Sequence, residues 1–303
     1  MDPWVMQKDG YYYYCFSDNY NLYVHRGTTV DGVLNTSYAE GRKVFSPPAN
    51  RPYSLELWAP ELFYLQGDWY IYFAADDGHN ENHRMYVLKA RTDDPLGEWD
   101  LLSQIGDATN NWAIDGTIFE HNDQMYWVWS GWPGDVNVQQ NLYIAPMANP
   151  TTVIGSRVLI AEPYYDWEKI ENGVGVLIQE GPQILKNPET NDVFIIYSAS
   201  GSWTDDYCLG LLKLTGPDPL RRESWTKSRT PVFSGTGTVF SPGHASFVKS
   251  PNGEEDWIVY HTAKHRGAVW DRDVNVKRFT WDREGNPVFG YPESKGVPFP
   301  APA

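Results

Sequence analysis

Asp2, Asp115 and Glu180 are three carboxyl residues whose placement suggests that they act together, because each opens a segment of the same kind. The segments are DPWVMQKDGYYYYCFS from Asp2, DGTIFEHNDQMYWVWSG from Asp115, and GPQILKNPETNDVFIIYSA immediately after Glu180. Two more segments share the pattern, APELFYLQGDWYIYFAA preceded by Trp58 and HASFVKSPNGEEDWIVYHT from His244. If the five are equivalent, three carboxyls, an indole and an imidazole occupy matching positions. One carboxylic acid can protonate a leaving oxygen while a carboxylate activates water on the opposite face, which is the chemistry of a sugar linkage. A third carboxyl beside the acid raises its pKa and keeps it protonated. Singly, each residue has an ordinary alternative. Asp2 can be a solvated terminal side chain, Asp115-Gly116 a turn, Glu180 a surface carboxylate and His244 a satisfied core histidine. Their recurrence at one position of a repeat favours the functional reading.

The elements that must position them follow from the same repeat. Each segment reads as a short strand, a turn rich in Gly, Asn or Asp, and a second strand dense in aromatic and β-branched residues, a hairpin signature. Third strands follow at NLYVHRG, RMYVLKART, QNLYIAPMAN, YCLGLLKLT and DVNVKRFTWD. Weaker fourth strands follow around Val44-Phe45, Trp99–Leu102, Val158–Ile160, Pro231–Phe233 and Pro287–Phe289. A four-stranded unit recurring about every 55 to 65 residues predicts an all-β, five-bladed β-propeller, four antiparallel strands per blade, as one domain over 1–303. The continuous apolar runs Trp69–Phe73 and Ile195–Tyr197 suit middle strands covered on both faces. The first strand of each blade lines the central channel, so residues that open the repeats become neighbours around one axis.

Composition narrows the function. The 303 residues include 14 Trp, 20 Tyr and 12 Phe, with a net charge of −15. That field disfavours nucleic acid and anionic polymers, and the flat apolar rings suit neutral sugars as well as core packing. No apolar stretch approaches a membrane span, and the opening Met-Asp-Pro-Trp is not a signal peptide. Compartment stays open, with an extracellular or periplasmic place expected for a polysaccharide substrate and a cytoplasmic one for imported oligosaccharides. Cys15 and Cys208 fall in non-adjacent repeats, so no disulfide is predicted between them. Trp132 and Trp203 follow the second strands of repeats three and four. They are candidates for stacking on sugars at outer subsites, with core packing the competing reading.

The motifs Asp2-Pro3-Trp4-Val5, Trp58-Ala59-Pro60-Glu61, Trp112-Ala113-Ile114-Asp115-Gly116-Thr117, Glu180-Gly181-Pro182-Gln183 and Pro242-Gly243-His244 occur one per repeat. In this order they resemble glycoside hydrolase family 43 across almost the whole chain. The resemblance implies a five-bladed propeller hydrolysing with inversion, with Asp2 as general base, Asp115 as pKa modulator and Glu180 as general acid. It further implies that Trp58, Ile114, His244 and Arg272 contact the sugar. No cofactor is implied for the chemistry; a calcium or other cation in the central channel, beside His244 and held largely through water, is. NENHRMYVL, QQNLYIAPM and SASGSWTDDYCLG are similar to the α-L-arabinofuranosidase branches, including exo-α-1,5 enzymes. The implied substrate is a plant cell-wall polysaccharide or oligosaccharide, arabinan or arabinoxylan, and a monomer is expected. A β-xylosidase, a bifunctional enzyme, an endo-arabinanase and a sugar-binding propeller without catalysis are the alternatives.

Overall fold

Residues that alternate aromatic and β-branched types pair into sheets here, and the sheets arrange in a ring. A computed structural model describes residues 2–35 and 39–294. Residues 1, 36–38 and 295–303 of the expected domain lie outside the described residues. Blade one comprises β1 (Trp4–Lys8), β2 (Tyr11–Ser17), β3 (Leu22–Gly27) and β4 (Arg42–Phe45). Blade two comprises β5 (Leu55–Leu65), β6 (Asp68–Asp76), β7 (Arg84–Ala90) and β8 (Trp99–Ile105). Blade three has β9 (Ala113–His121), β10 (Gln124–Gly131), β11 (Asn141–Asn149), β12 (Thr152–Val153) and β13 (Val158–Ala161), the last two both pairing with β11. Blade four has β14 (Gln179–Lys186), β15 (Val193–Ala199), β16 (Cys208–Leu214) and β17 (Trp225–Lys227). Blade five has β18 (Phe240–Lys249), β19 (Asp256–Ala263), β20 (Arg272–Trp281) and β21 (Pro287–Val288).

All pairs within the blades are antiparallel, and the inner strands touch in the cyclic order β1, β5, β9, β14, β18, β1. The chain therefore forms the expected five-bladed propeller. Two details differ from expectation. The outer strand of blade four is Trp225–Lys227, while Phe233 makes only an isolated bridge to Leu209. Blade three carries two short outer strands because β11 is long enough to pair with both.

Middle strands β6, β10, β15 and β19 are buried along almost their whole length, since a neighbouring blade covers each face. The apolar clusters lie between blades accordingly: Tyr72, Trp127 and Trp129 pack between blades two and three, and Tyr12, Val248 and Trp257 between one and five. Among the described residues the first and last blades exchange no strand. Their seam is closed by side chains: Val5 N–H donates to Ser246 Oγ (3.1 Å), Tyr12 hydroxyl to the Lys249 carbonyl (2.7 Å), and Lys249 N–H to Gln7 Oε1 (2.8 Å). Cys15 and Cys208, in blades one and four, are free and buried.

Candidate active site

Four of the five inner strands carry the same irregularity at their upper ends. The pairing register slips by one residue between Trp58 and Glu61, between Ile114 and Thr117, between Glu180 and Gln183, and between Gly243 and Ser246. Each slip holds one residue in the left-handed region: Ala59 (φ 42°), Asp115 (53°), Gly181 (54°) and His244 (44°). These are β-bulges, which bend a strand and re-aim a side chain. For the three non-glycine residues the conformation costs about 1–2 kcal/mol each, a strain that clusters where function needs it. Gly116 completes the bulge of β9, because a Cβ there would lie 1.9 Å from Trp127 Cζ2.

The bulges bring the separated residues together. Asp115 Oδ2 accepts the Gly181 N–H at 2.9 Å, joining blade three to the residue after Glu180. Glu180 Oε1 accepts from the Tyr207 hydroxyl at 2.7 Å. Asp2 Oδ1 lies 3.3 Å from His244 Nδ1, 3.8 Å from His261 Nε2 and 3.9 Å from Arg272 Nη1. Arg272 also donates to His261 Nε2 (3.0 Å) and to the Ser202 carbonyl (2.7 Å). An arginine has only donors, so His261 Nε2 presents a lone pair and the ring is neutral. Asp2, Asp115 and Glu180 are close enough that the charge of one shifts the others.

Their environments are opposite in sign. Burial opposes ionisation of Asp2, yet positive charge beside it lowers its pKa, with His244 and His261 contributing ahead of Arg272. Burial also drives His244 and His261 toward their neutral forms, so at neutral pH Arg272 supplies the lasting positive charge of this trio. On the other side, burial pushes Glu180 up to about 7, with the nearby Asp2 charge adding and Tyr207 and Arg272 opposing. Burial and the charges of Glu180 and Asp2 likewise raise Asp115, against the Gly181 N–H. Three carboxyls that feel one another's charge resist ionising together. They titrate as a group, with Asp2 charged first and the proton retained on the Asp115–Glu180 side.

A second polar layer lies two residues further along each bulged strand. Glu61 on β5 bonds Gln183 on β14 and Thr117 on β9, tying blades two, three and four together. Burial pushes Glu61 up to about 8, so it is a neutral acid at the middle of the ring.

Other nominated residues divide. Trp58 is half-buried, its indole stacked on His83 (centroids 3.9 Å) and its Nε1 bonded to Glu56 Oε2 (3.0 Å). His83 lies 3.0 Å from Asp76 and bonds the Glu56 carbonyl, so Trp58 rests on a buried polar support. Trp203 is half-buried in the loop 200–207, next to Ser202 and hence to Arg272. Trp132 is 3% exposed and lies face to face with Trp112 at 4.8 Å, which favours the core-packing reading over stacking on a sugar. Ile114, next to Asp115, is buried in the same cluster between blades two and three. Around His244 the cation of the resemblance finds no cage of protein ligands. Its Nδ1 faces Asp2, and among the described residues no three His, Cys, Asp or Glu side chains converge to hold a metal. Tyr207, Ser198, His261 and Glu61 were not singled out from sequence. The polar Asp206-Tyr207 pair before β16 and the His261-Thr262 pair ending β19 are the signals that mark two of them.

The family model for glycosyl hydrolases family 43 matches residues 1–287. The chain belongs to this family. A Streptomyces avermitilis protein named extracellular exo-α-(1→5)-L-arabinofuranosidase is 33% identical over 311 residues, covering 98% of the chain and 62% of the relative. The chain thus spans about three fifths of that relative's length. A Streptomyces chartreusis protein of the same name is 32% identical over 277 residues, covering 89% of the chain and 82% of the relative. Among solved structures, an α-L-arabinofuranosidase from Lactobacillus brevis superposes with a TM-score of 0.87 at 33% identity, covering 98% of this family 43 chain and 95% of that one.

Proposed function

We propose that the chain is an inverting exo-α-1,5-L-arabinofuranosidase releasing terminal α-L-arabinofuranosyl residues from arabinan or arabino-oligosaccharides. The observation that carries this reading is the opposed environments of Asp2 and Glu180 around one axis. A general base has to be ionised and a general acid protonated at the same pH, and these surroundings favour that combination. Asp2 takes a proton from the attacking water while Glu180 delivers one to the leaving oxygen. Asp115, through the Gly181 N–H, orients the bulge that carries Glu180 and shares the retained proton with it. Arg272 and His244 fix Asp2, and Trp58 and Trp203 offer indole surface to the sugar. The relatives' names support the arabinofuranosyl specificity over the xyloside alternative, and the two named extracellular support secretion. The proposed chemistry rests on the carboxyls and requires no cofactor.

Hydrolysis of nitrophenyl α-L-arabinofuranoside and nitrophenyl β-D-xyloside, with product analysis on linear arabinan, tests the reading. Arabinose released from chain ends, first appearing as the inverted anomer by proton NMR, is expected. Binding of arabino-oligosaccharides without product after long incubation overturns it in favour of a sugar-binding propeller.

A further inference from the structure

Glu180 is held by more than one bond. The main-chain N–H of His244 donates to Ser198 Oγ at 2.8 Å, Ser198 bonds the Tyr207 hydroxyl, and that hydroxyl donates to Glu180 Oε1 at 2.7 Å. Ser198 sits directly opposite Glu180 in the β14–β15 register, and Tyr207 enters from the loop before β16. With Ser198 Oγ accepting from a backbone N–H, its own proton goes to Tyr207, and the phenolic proton is left with one acceptor, the carboxyl. The chain of donors therefore has a fixed direction.

The ring of Tyr207 is also fixed. It lies parallel to His261 (10°, centroids 5.7 Å apart), with the Arg272 guanidinium 5.6 Å from its centroid. Its edge occupies the space a side chain at position 243 would need, a Cβ there lying 2.1 Å from Tyr207 Cε1. Gly243 is thus the notch that admits the phenol.

We propose that Tyr207 is the positioning residue of the general acid, pinning Oε1 of Glu180 so that Oε2 is the oxygen that carries and delivers the proton. This rests on the glycosidase reading above. In the step, the Oε2–H bond breaks and the proton goes to the glycosidic oxygen as its bond to the anomeric carbon breaks. Water adds to that carbon and gives its proton to Asp2. The phenolic proton stays on Tyr207 throughout and stabilises the carboxylate left on Glu180. The charged and titratable groups facing Glu180 are Asp2, Asp115 on the β9 bulge, Arg272 on β20 and Tyr207 itself.

The test compares pH profiles of kcat/KM for wild type, Tyr207→Phe and Ser198→Ala, on an arabino-oligosaccharide and on the nitrophenyl glycoside. Tyr207→Phe keeps the ring in its notch and removes only the donor to the carboxylate. The alkaline limb is expected to move up by about one pH unit, the size of one lost hydrogen bond to a buried charge. Turnover of the oligosaccharide falls roughly tenfold or more, that of the nitrophenyl glycoside less, because a good leaving group needs little protonation. Ser198→Ala, which loosens the phenol without removing it, shifts the limb the same way by less. An alkaline limb unmoved or lowered in both variants, or a loss equal on both substrates, overturns the proposal while wild-type hydrolysis stands. A wild type whose alkaline limb persists in Glu180→Gln removes Glu180 from the acid role, and this inference falls with that reading.

Discussion

The two sides of the channel each hold carboxyls but treat them in opposite ways. On the side of blades five and one, Asp2 faces Arg272 and two imidazoles. On the side of blades three and four, Asp115 and Glu180 face each other and are tied down by one backbone N–H and one phenol. One guanidinium and two imidazoles surround the first carboxyl, and a backbone N–H and a phenol bind the other two, so in the proposed mechanism the same functional group serves as base on one side and acid on the other. Residue type alone does not assign these roles; the neighbours do.

The largest test of this contrast removes each carboxyl in turn. Glu180→Ala is expected to lower kcat/KM on an arabino-oligosaccharide by about 10³-fold, with the nitrophenyl glycoside partly spared. Asp2→Ala should depress both substrates alike, since water must be activated whatever the leaving group. Equal behaviour of the two variants on both substrates would erase the distinction between the sides. Next in size, Arg272→Met removes the lasting cation. Both Asp2 and Glu180 lose a neighbour that favours their charged forms, so both limbs of the kcat/KM profile should move to higher pH, by about one unit, in steady-state assays. In wild type the alkaline limb should fall near pH 7, because activity is lost as Glu180 gives up its proton. Smaller again, Trp203→Ala is expected to raise KM roughly fivefold with kcat little changed, as one stacking contact is lost. Trp132→Phe should leave KM alone and lower only thermal stability.

The smallest effect concerns the layer beneath. Glu61 titrates from an ordinary 4.5 to about 8 on folding, so between those values the folded chain keeps a proton that the unfolded chain has shed. Stability from this group is present below the unfolded value and declines as pH rises through the window. Glu61→Gln removes that decline, so its Tm should exceed that of wild type by about a few degrees at pH 8 and by less at pH 5, in thermal melts.

How much of this was legible in the sequence depended on which force wrote it. Middle strands announce themselves, because covering both faces demands the unbroken apolar runs seen at Trp69–Phe73 and Ile195–Tyr197. The repeat openings were legible for the same reason: Asp115 and His244 recur where a structural repeat has no use for charge. The bulges were not, since the left-handed turn at Asp115 depends on pairing with β10 and on the void at Gly116 beside Trp127. Trp132 stayed open between two readings because a tryptophan after a strand reads alike whether it faces a sugar or Trp112. Tyr207 escaped notice because its partner is 27 residues earlier and on another strand. Phe233 looked like an outer strand since its apolar character fits one, but Trp225–Lys227 reaches β16 first.

The seam between the first and last blades has a mechanical consequence. Among the described residues it is a joint fastened by bonds between side chains and backbone, and Asp2 and His244 stand on its two lips. A slight parting there under heat would pull the base from its imidazole while every sheet stays whole. Heating is therefore expected to abolish turnover before strand pairing is lost, which residual activity set against far-UV circular dichroism would show.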